Sequence, residues 1–396
     1  MIDLSPAWTA QRSIAEPLKQ RRAALQAVAA AAGIHPVLMA EAAQVDPTGA
    51  LPGRSLDLLR SCGLLAAPVP ESAGGAGLNA PQFRPQLLQL LAHLGRGSLP
   101  VGRIFEGHVN ALALVEAFAS RHEAARWFAD AAAGHLFAVW NTEDAAGLKI
   151  VVEPAGAWQL QGAKTFASGA GAVTRALVTA RDPSGGWQML IVATDVDRPT
   201  IDPSFWKPLG MRSSASFKVD FGKLAVRPAD FVGVAGEYYR EPIFSAGAVR
   251  FAAVQQGGIE AVFDATRDFL RRVGRDNDPY QRARLGEMAV CVASGRQWLF
   301  GAAQQAVAPV ELPGDTGPAV AHAHMMRTAI ETNALRVLQL AERSVGARGL
   351  LAPEPFERLH RDLTHYLRQA GPDAALAAAG AHVLTRTAPA YALWHE

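Results

Sequence analysis

The sequence predicts a mostly helical α+β protein, with an N-terminal helical domain, a middle antiparallel β-barrel or β-sandwich domain, and a C-terminal four-helix bundle. The chain of 396 residues is too long for one ordinary hydrophobic core. Apolar residues make up 49% of it, enough for a large buried interior. Their spacing changes from helical to β-like near residue 135 and back to helical near residue 240. We therefore expect three domains, over residues 1–134, 135–240 and 241–396.

The first domain is predicted to be helical because apolar residues recur in it at helical spacing. Between two of the helical stretches, the segment 68–78 is rich in Pro and Gly. Its glycines permit positive φ and close backbone approach, so a loop is expected there. Helices are predicted over residues 16–32, 55–62, 86–94 and 110–133.

The middle segment has short β-like runs broken by Gly, Pro and Asp. Residues 176–180 and 189–193 are compact apolar runs, and Phe217, Val219 and Phe221 alternate with polar residues. Short strands with turn signals between them, and without intervening helices, favour an antiparallel barrel or sandwich.

The last third returns to helical spacing. The final segment, 356–384, is predicted to be helical with an interruption at Gly371-Pro372. One helix has residues that step by four and three, as in the seam of a close-packed bundle. These seam residues are Met326, Ile330, Asn333, Val337 and Leu340.

Charge and cysteine content argue against several classes of function. The net charge of +2, without a Lys/Arg-rich run, argues against nucleic acid as the main partner. Cys62 and Cys291 cannot build a disulfide framework and lack metal-ligand spacing, so we expect a reducing cytoplasm and no metal. No apolar run reaches the roughly 18 residues that a membrane span needs, and the first 20 residues lack the features of a secretory leader.

Five short motifs occur in order along the chain. They are Pro70-Glu71 with Gly74-Gly75-Ala76-Gly77-Leu78; Thr142-Glu143; Gly162-Ala163-Lys164-Thr165-Phe166-Ala167-Ser168-Gly169; Pro208-Leu209-Gly210-Met211-Arg212-Ser213-Ser214 with Val226-Arg227-Pro228-Ala229; and Gly346-Ala347-Arg348-Gly349-Leu350 with Arg361-Asp362. With these motifs the chain resembles the acyl-CoA dehydrogenase family over nearly its whole length. The resemblance implies an FAD-binding flavoprotein of that family's three-domain architecture.

The resemblance also implies which residues surround the flavin ring. Thr142 and Ser168 would supply hydroxyl groups to the flavin edge, and Phe166 an aromatic wall against the ring. A flavin that accepts hydride needs such groups beside its reacting edge. The alternatives are a core aromatic for Phe166 and turn hydroxyls that bond their own backbone for Thr142 and Ser168.

A second set of residues would hold the FAD pyrophosphate by resemblance. Arg272, or its neighbour Arg271, would supply positive charge, and a loop of a neighbouring subunit with Gly346 and Arg348 would supply backbone amides. The family's "R-x-x-F-G" is here Arg272-Val273-Gly274-Arg275, without its Phe, and a solvated basic helix end is the alternative. A loop that works in trans requires a homodimer, a homotetramer or a hetero-oligomer with a paralogue.

The family's catalytic base has no acidic counterpart here. The family usually places a Glu before a glycine after its "R-D", where this chain has Ala370, and some members place it beside an arginine on the first bundle helix, where this chain has Val249. Asp373 is the nearest acid to the first position and the candidate replacement, although a first-turn acid of a helix is the alternative. His360 and His365 are more simply read as surface or core histidines.

Three functions fit these observations, each with a small-molecule substrate. The first, ranked narrowly ahead because the flavin-edge residues are retained, is an FAD-dependent oxidoreductase of fatty acid metabolism that acts on an acyl-CoA thioester with a relocated or degenerate base. The second is a flavin-dependent monooxygenase of the same fold, which needs no α-proton abstraction. The third is a non-catalytic subunit that pairs with a Glu-bearing paralogue.

Overall fold

The elements of the chain follow the predicted order of helices, sheet and helices, and the predicted fold class is confirmed. The computed structural model describes residues 5–154, 156–305, 315–369 and 371–390, with side chains from residue 19 onward. The helices of the N-terminal part are α1 (Ser5–Gly33), α2 (His35–Val45), α3 (Gly53–Ser61), α4 (Arg84–Gly97), α5 (Leu99–Phe118) and α6 (Arg121–Ala132). The domain boundaries near 134 and 240 stay predictions.

The single helix predicted over 110–133 is wrong, because the chain forms two helices there. Helix α6 has its own start, a capping box in which the Ser120 hydroxyl accepts the backbone N–H of Glu123 at 3.3 Å. The Glu123 carboxylate accepts the backbone N–H of Ser120 at 2.9 Å in return. This arrangement satisfies two backbone donors that would otherwise lack partners at a helix start.

The elements of the middle part are β1 (Phe137–Trp140), β2 (Glu143–Val152), β3 (Trp158–Ala167), β4 (Arg175–Arg181), β5 (Trp187–Val192), a short helix α7 (Thr194–Asp197), β6 (Thr200–Asp202), β7 (Phe217–Asp220), β8 (Leu224–Val226) and β9 (Phe231–Val232). The strands form one sheet with the order β6-β7-β3-β2-β4-β5-β9, to which β1 is added beside β4 and β8 beside β3. The prediction of an antiparallel sheet holds for most pairs, but β1 runs parallel to β4, and β2 meets β4 in parallel at one residue pair.

The C-terminal part is the predicted helical bundle. Its helices are α8 (Ile243–Arg272), α9 (Pro279–Gln304), α10 (Gly317–Gly349), α11 (Pro355–Tyr366) and α12 (Pro372–Thr385). Four of the five predicted seam residues are fully or almost fully buried, and Asn333 lies at the edge with its amide 3.4 Å from the Ser294 hydroxyl. Glycine allows α4 to lie directly on α8, since a Cβ at Gly257 would stand 2.0 Å from the Ala92 carbonyl oxygen.

Two contacts fasten the loop between β6 and β7 to helix α11. The backbone N–H of Met211 donates to the buried carboxylate of Asp362 at 2.6 Å. The preceding Gly210 lies so close to α11 that a Cβ there would stand 2.1 Å from the carbonyl oxygen of Arg361. These contacts set the position of the sheet edge relative to the bundle.

Within the described residues, no single helix is both long enough and apolar enough to cross a membrane. Only the bent pair 19–33 and 35–45 meets the length and composition criteria, and it does so when the two helices are taken together.

Candidate functional site

The structure brings three predicted flavin-edge residues to one end of strands β2 and β3. The backbone N–H of Thr165 donates to the carbonyl of Thr142 at 2.9 Å, which places Phe166 beside Thr142. Ser168 follows just after β3, and its carbonyl accepts the indole N–H of Trp140 at 3.0 Å. Residues that the sequence separates by 26 positions thus share one edge of the sheet.

Phe166 has an unusual backbone conformation and an unusual degree of exposure. Its φ is +52°, in the left-handed region that non-glycine residues rarely adopt, and the side chain is 50% exposed. The cause is local, because the pairing of β3 with β7 shifts register between Lys164 and Ala167. A bulge of this kind re-aims a side chain out of a sheet. Backbone strain of this kind is common at functional sites, and it makes Phe166 a candidate ligand contact.

Two aromatic side chains pack against the Phe166 ring. The ring of Phe205 lies 5.3 Å from it at 87°, and the ring of Trp206 lies 5.9 Å from it at 83°. Both contacts are edge-to-face, and half of the Phe166 side chain stays exposed beside them. A planar ligand ring can stack on a face held in this way.

The aromatic cluster reaches the bundle through His365 on α11. The rings of Trp206 and His365 are 5.4 Å apart at 82°, and burial lowers the pKa of His365. Burial therefore favours the neutral form of the imidazole. Sequence reasoning weighed His365 only as one of two histidines on a helix and missed Trp206. The one signal for Trp206 was its position two residues before the Pro208-Leu209-Gly210 motif.

The two predicted hydroxyl residues face different surroundings. Thr142 is exposed at the sheet edge, whereas Ser168 is buried. The Ser168 hydroxyl lies 2.8 Å from that of Ser216, which lies 2.8 Å from that of Ser214. Thr142 is thus the more open of the two groups, and Ser168 is part of an internal hydroxyl chain.

A buried polar cluster on α5 was missed by sequence reasoning. Glu106 is 2% exposed, with one carboxylate oxygen bonded to the Arg103 guanidinium and the other to the Asn110 amide. Asn110 in turn accepts the Nε–H of Arg250 from α8. The sequence did contain a signal for this cluster, since the polar residues at positions 103, 106 and 110 fall on one face of a largely apolar helix. Tyr366 lies near this cluster, and the charges of Glu106 and Arg103 both act on its hydroxyl group.

The residues predicted to hold the pyrophosphate lie at the other end of α11. Arg272 ends α8, and its guanidinium donates to both carboxylate oxygens of Glu354 at 2.7 Å. Gly346 breaks α10 with φ +59°, and Gly346 and Arg348 are exposed. Helix α11 has 12 residues and begins just after Glu354, so the Arg272 contact and the His365 contact are about 16 Å apart along its axis.

The candidate base Asp373 lies in the first turn of α12, where it is exposed. This placement fits the alternative of an ordinary helix-start acid, and the catalytic role of Asp373 stays a prediction. Ala370 lies outside the described residues. Val249, at the other base position of the family, lines a cavity between α8 and its neighbours. Among the residues that the structure describes, no group of His, Cys, Asp and Glu could hold a metal ion.

Comparison with known proteins identifies the family. The family model of the acyl-CoA dehydrogenase N-terminal domain matches residues 21–135, and that of the acyl-CoA dehydrogenase C-terminal domain matches residues 236–384. The dibenzothiophene monooxygenase of Rhodococcus erythropolis is 24% identical over 382 residues, which cover 86% of this chain and 89% of that protein. The mitochondrial short-chain specific acyl-CoA dehydrogenase of Homo sapiens is 24% identical over 340 residues, which cover 81% of this chain and 80% of that protein.

Solved structures show the same fold. The FMN-bound dibenzothiophene monooxygenase from Paenibacillus sp. A11-2 has a TM-score of 0.81 at 19% identity, and the match covers 93% of this chain and 99% of that one. The matches to both family domains, together with the order of helices, sheet and bundle, show that this chain is a flavoprotein of the acyl-CoA dehydrogenase family.

Proposed function

We propose that this protein is a flavin-dependent monooxygenase, the second of the three functions that the sequence left open. One observation carries the proposal: the flavin-edge segments meet at one edge of the sheet, while neither base position of the family holds an acid. The similarity to a dibenzothiophene monooxygenase supports it, although a human acyl-CoA dehydrogenase has the same sequence identity to this chain, 24%.

Neither Glu106 nor Asp373 is suited to replace the missing base. The buried Glu106 has one oxygen bonded to Arg103 and the other to Asn110, so it is not free to take a proton from a substrate. Asp373 is exposed at a helix start, whereas abstraction of a weakly acidic α-proton requires a carboxylate in a dry pocket. A monooxygenase needs no such group.

The residues at the sheet edge fit a flavin. We infer that the exposed face of Phe166 stacks on the ring, that Thr142 offers its hydroxyl at the edge, and that Ser168 supports the adjoining backbone. A reduced flavin, when bound, activates dioxygen so that one oxygen atom enters the substrate and the other leaves as water. The aromatic cluster around Phe166 orients the ring and limits the access of water to it.

We propose FMN as the flavin, in place of the FAD that the family resemblance implied. The structurally similar monooxygenase from Paenibacillus sp. A11-2 was solved with FMN bound. In this chain Arg272 is already paired with Glu354, which leaves less positive charge for a pyrophosphate. Gly346 and Arg348, which are exposed, would contact the phosphate of a flavin held by a neighbouring subunit, so the protein is proposed to be a homo-oligomer.

Two measurements on the purified protein test the proposal. With reduced FMN from an added reductase, we expect oxygen uptake coupled to oxidation of a small organic substrate. Under anaerobic conditions, we expect no bleaching of the bound flavin by a panel of acyl-CoA thioesters. Bleaching by an acyl-CoA would replace the proposal with the dehydrogenase function. Flavin binding only in a complex with a co-expressed paralogue would replace it with the non-catalytic subunit.

A further inference from the structure

A cavity of about 80 Å³ lies where the first turns of α4, α8 and α10 meet the end of α9. This space is several times what a single water molecule requires. Two arginines from different helices line it, Arg84 at the start of α4 and Arg250 on α8. Its wall contains no residue of the cluster around Phe166, although it includes Val249, one of the two base positions of the family.

The two arginines of this cavity have few partners. Within the described residues neither arginine forms an ion pair. The structure gives Arg84 one hydrogen bond, to the carbonyl of Gln305 at 2.7 Å, and gives Arg250 one, from Nε to Asn110. Burial lowers the pKa of Arg84, and burial, reinforced by the charge of Arg84, lowers the pKa of Arg250 to about 10 against the opposing charge of Glu106. Two guanidinium groups thus lie near each other with little compensation.

The rest of the wall does not supply the missing negative charge. None of the described residues that line the cavity carries a carboxylate. Ser245 lines it but donates its hydroxyl to Glu241 at 2.8 Å, and Glu241 lies outside the wall. His322 also lines the cavity, and its Nε2 has no hydrogen-bond partner among the described residues. Behind Arg250, the single charge of Glu106 is already shared with Arg103.

Uncompensated buried charge is costly, and a folded protein usually pairs it. A guanidinium group presents a planar fork of donors that matches the two oxygens of a carboxylate, a sulfonate or a phosphate. The remaining wall is apolar and includes Leu87, Leu88 and Val249. We propose that this cavity is a binding site for a small organic oxyanion, whose charged group lies between Arg84 and Arg250 and whose apolar part contacts those three side chains.

The proposal is tested by anion binding, which needs neither flavin turnover nor oxygen. Propionate, methanesulfonate and inorganic phosphate are titrated into the full-length protein, and heat of binding and thermal stabilisation are measured. We expect propionate or methanesulfonate to bind and to raise the melting temperature, with inorganic phosphate weaker. Phosphate as the sole ligand would overturn the organic assignment, and failure of all three anions to bind would overturn the site.

Three variants locate the binding. Arg84→Gln and Arg250→Gln should each weaken anion binding at least about tenfold, the loss of one charge-assisted contact. Arg282→Gln is the matched control, because its side chain is exposed and lies at the opposite end of α9 from the cavity. Without an anion, Arg250→Gln should melt no lower than the wild type, since it removes a poorly compensated charge. Binding that survives both cavity variants would contradict the proposal.

Discussion

The ammonium group of Lys164 lies 2.7 Å from the carboxylate of Glu143, directly beneath the sheet edge that carries Thr142 and Phe166. The Lys164 side chain is completely buried, and it also donates to the Asn141 carbonyl at 2.9 Å and to the Thr179 hydroxyl at 3.0 Å. Lys164 and Glu143 are cross-strand partners on β3 and β2. This pair ties together the two strands that form the proposed flavin edge.

The Lys164 pair predicts an unusual dependence of stability on pH. Burial lowers the pKa of Lys164 from 10.5 to about 8, against the opposing effect of Glu143. Between these two values the unfolded chain binds more protons than the folded one, so stability rises with pH. Relative to Lys164→Met, the wild-type free energy of unfolding should gain up to about 3 kcal/mol across this window. Denaturant unfolding at several pH values measures it, and a constant difference between the two proteins would contradict the lowered pKa.

Replacement of Phe166 should weaken flavin binding without unfolding the protein. The ring is half exposed, so Phe166→Ala removes a stacking face while leaving the core intact. We expect about a fivefold rise in the Kd for FMN, since an aromatic contact contributes about 1 kcal/mol beyond its buried area. Phe300→Ala is the control, because Phe300 is 53% exposed on α9. Fluorescence titration measures both, and equal affinities would remove Phe166 from the site.

A methyl group at position 210 should separate the sheet from α11. The Cβ of Gly210→Ala would overlap the Arg361 carbonyl oxygen, which is backbone and cannot rotate away. We expect a loss of about 1–3 kcal/mol in the free energy of unfolding, typical of overpacking. Gly286→Ala lies in helix α9 with open space at its Cβ and should instead stabilise by about 0.5–1 kcal/mol. Urea denaturation measures the free energy of unfolding of both variants. If Gly210→Ala were as stable as the wild type, the contact with Arg361 would not be as rigid as the structure indicates.

The proposed monooxygenase function makes Asp373 dispensable. Asp373→Asn should leave flavin binding and oxygen-dependent turnover unchanged, and it should change stability by no more than about 0.5 kcal/mol, as for other exposed surface sites. Asp57→Asn, at a side chain 77% exposed on α3, is the matched control. If Asp373→Asn alone abolished bleaching of the flavin by an acyl-CoA, Asp373 would be the relocated base and the enzyme a dehydrogenase.

The amino-acid sequence by itself determined the order of helices, sheet and bundle, and it indicated the segments around Thr142 and Phe166. Both follow from local information, because the spacing of apolar residues sets the type of each element, and the motifs lie within single turns or strand ends. The sequence-based prediction failed where local signals compete. The single helix predicted over 110–133 missed the start of α6 after Ser120.

Only the tertiary structure decided which surfaces meet. The contact of Trp206 with His365 and the shared cavity of Arg84 and Arg250 each join segments far apart in the chain. The spacing of residues fixes which face of a helix is buried, but not which partner covers it, because crossing angle and sheet register depend on the packing of the whole core. The exposed ring of Phe166 likewise depends on a bulge in the pairing of β3 with β7, which no residue in its motif specifies.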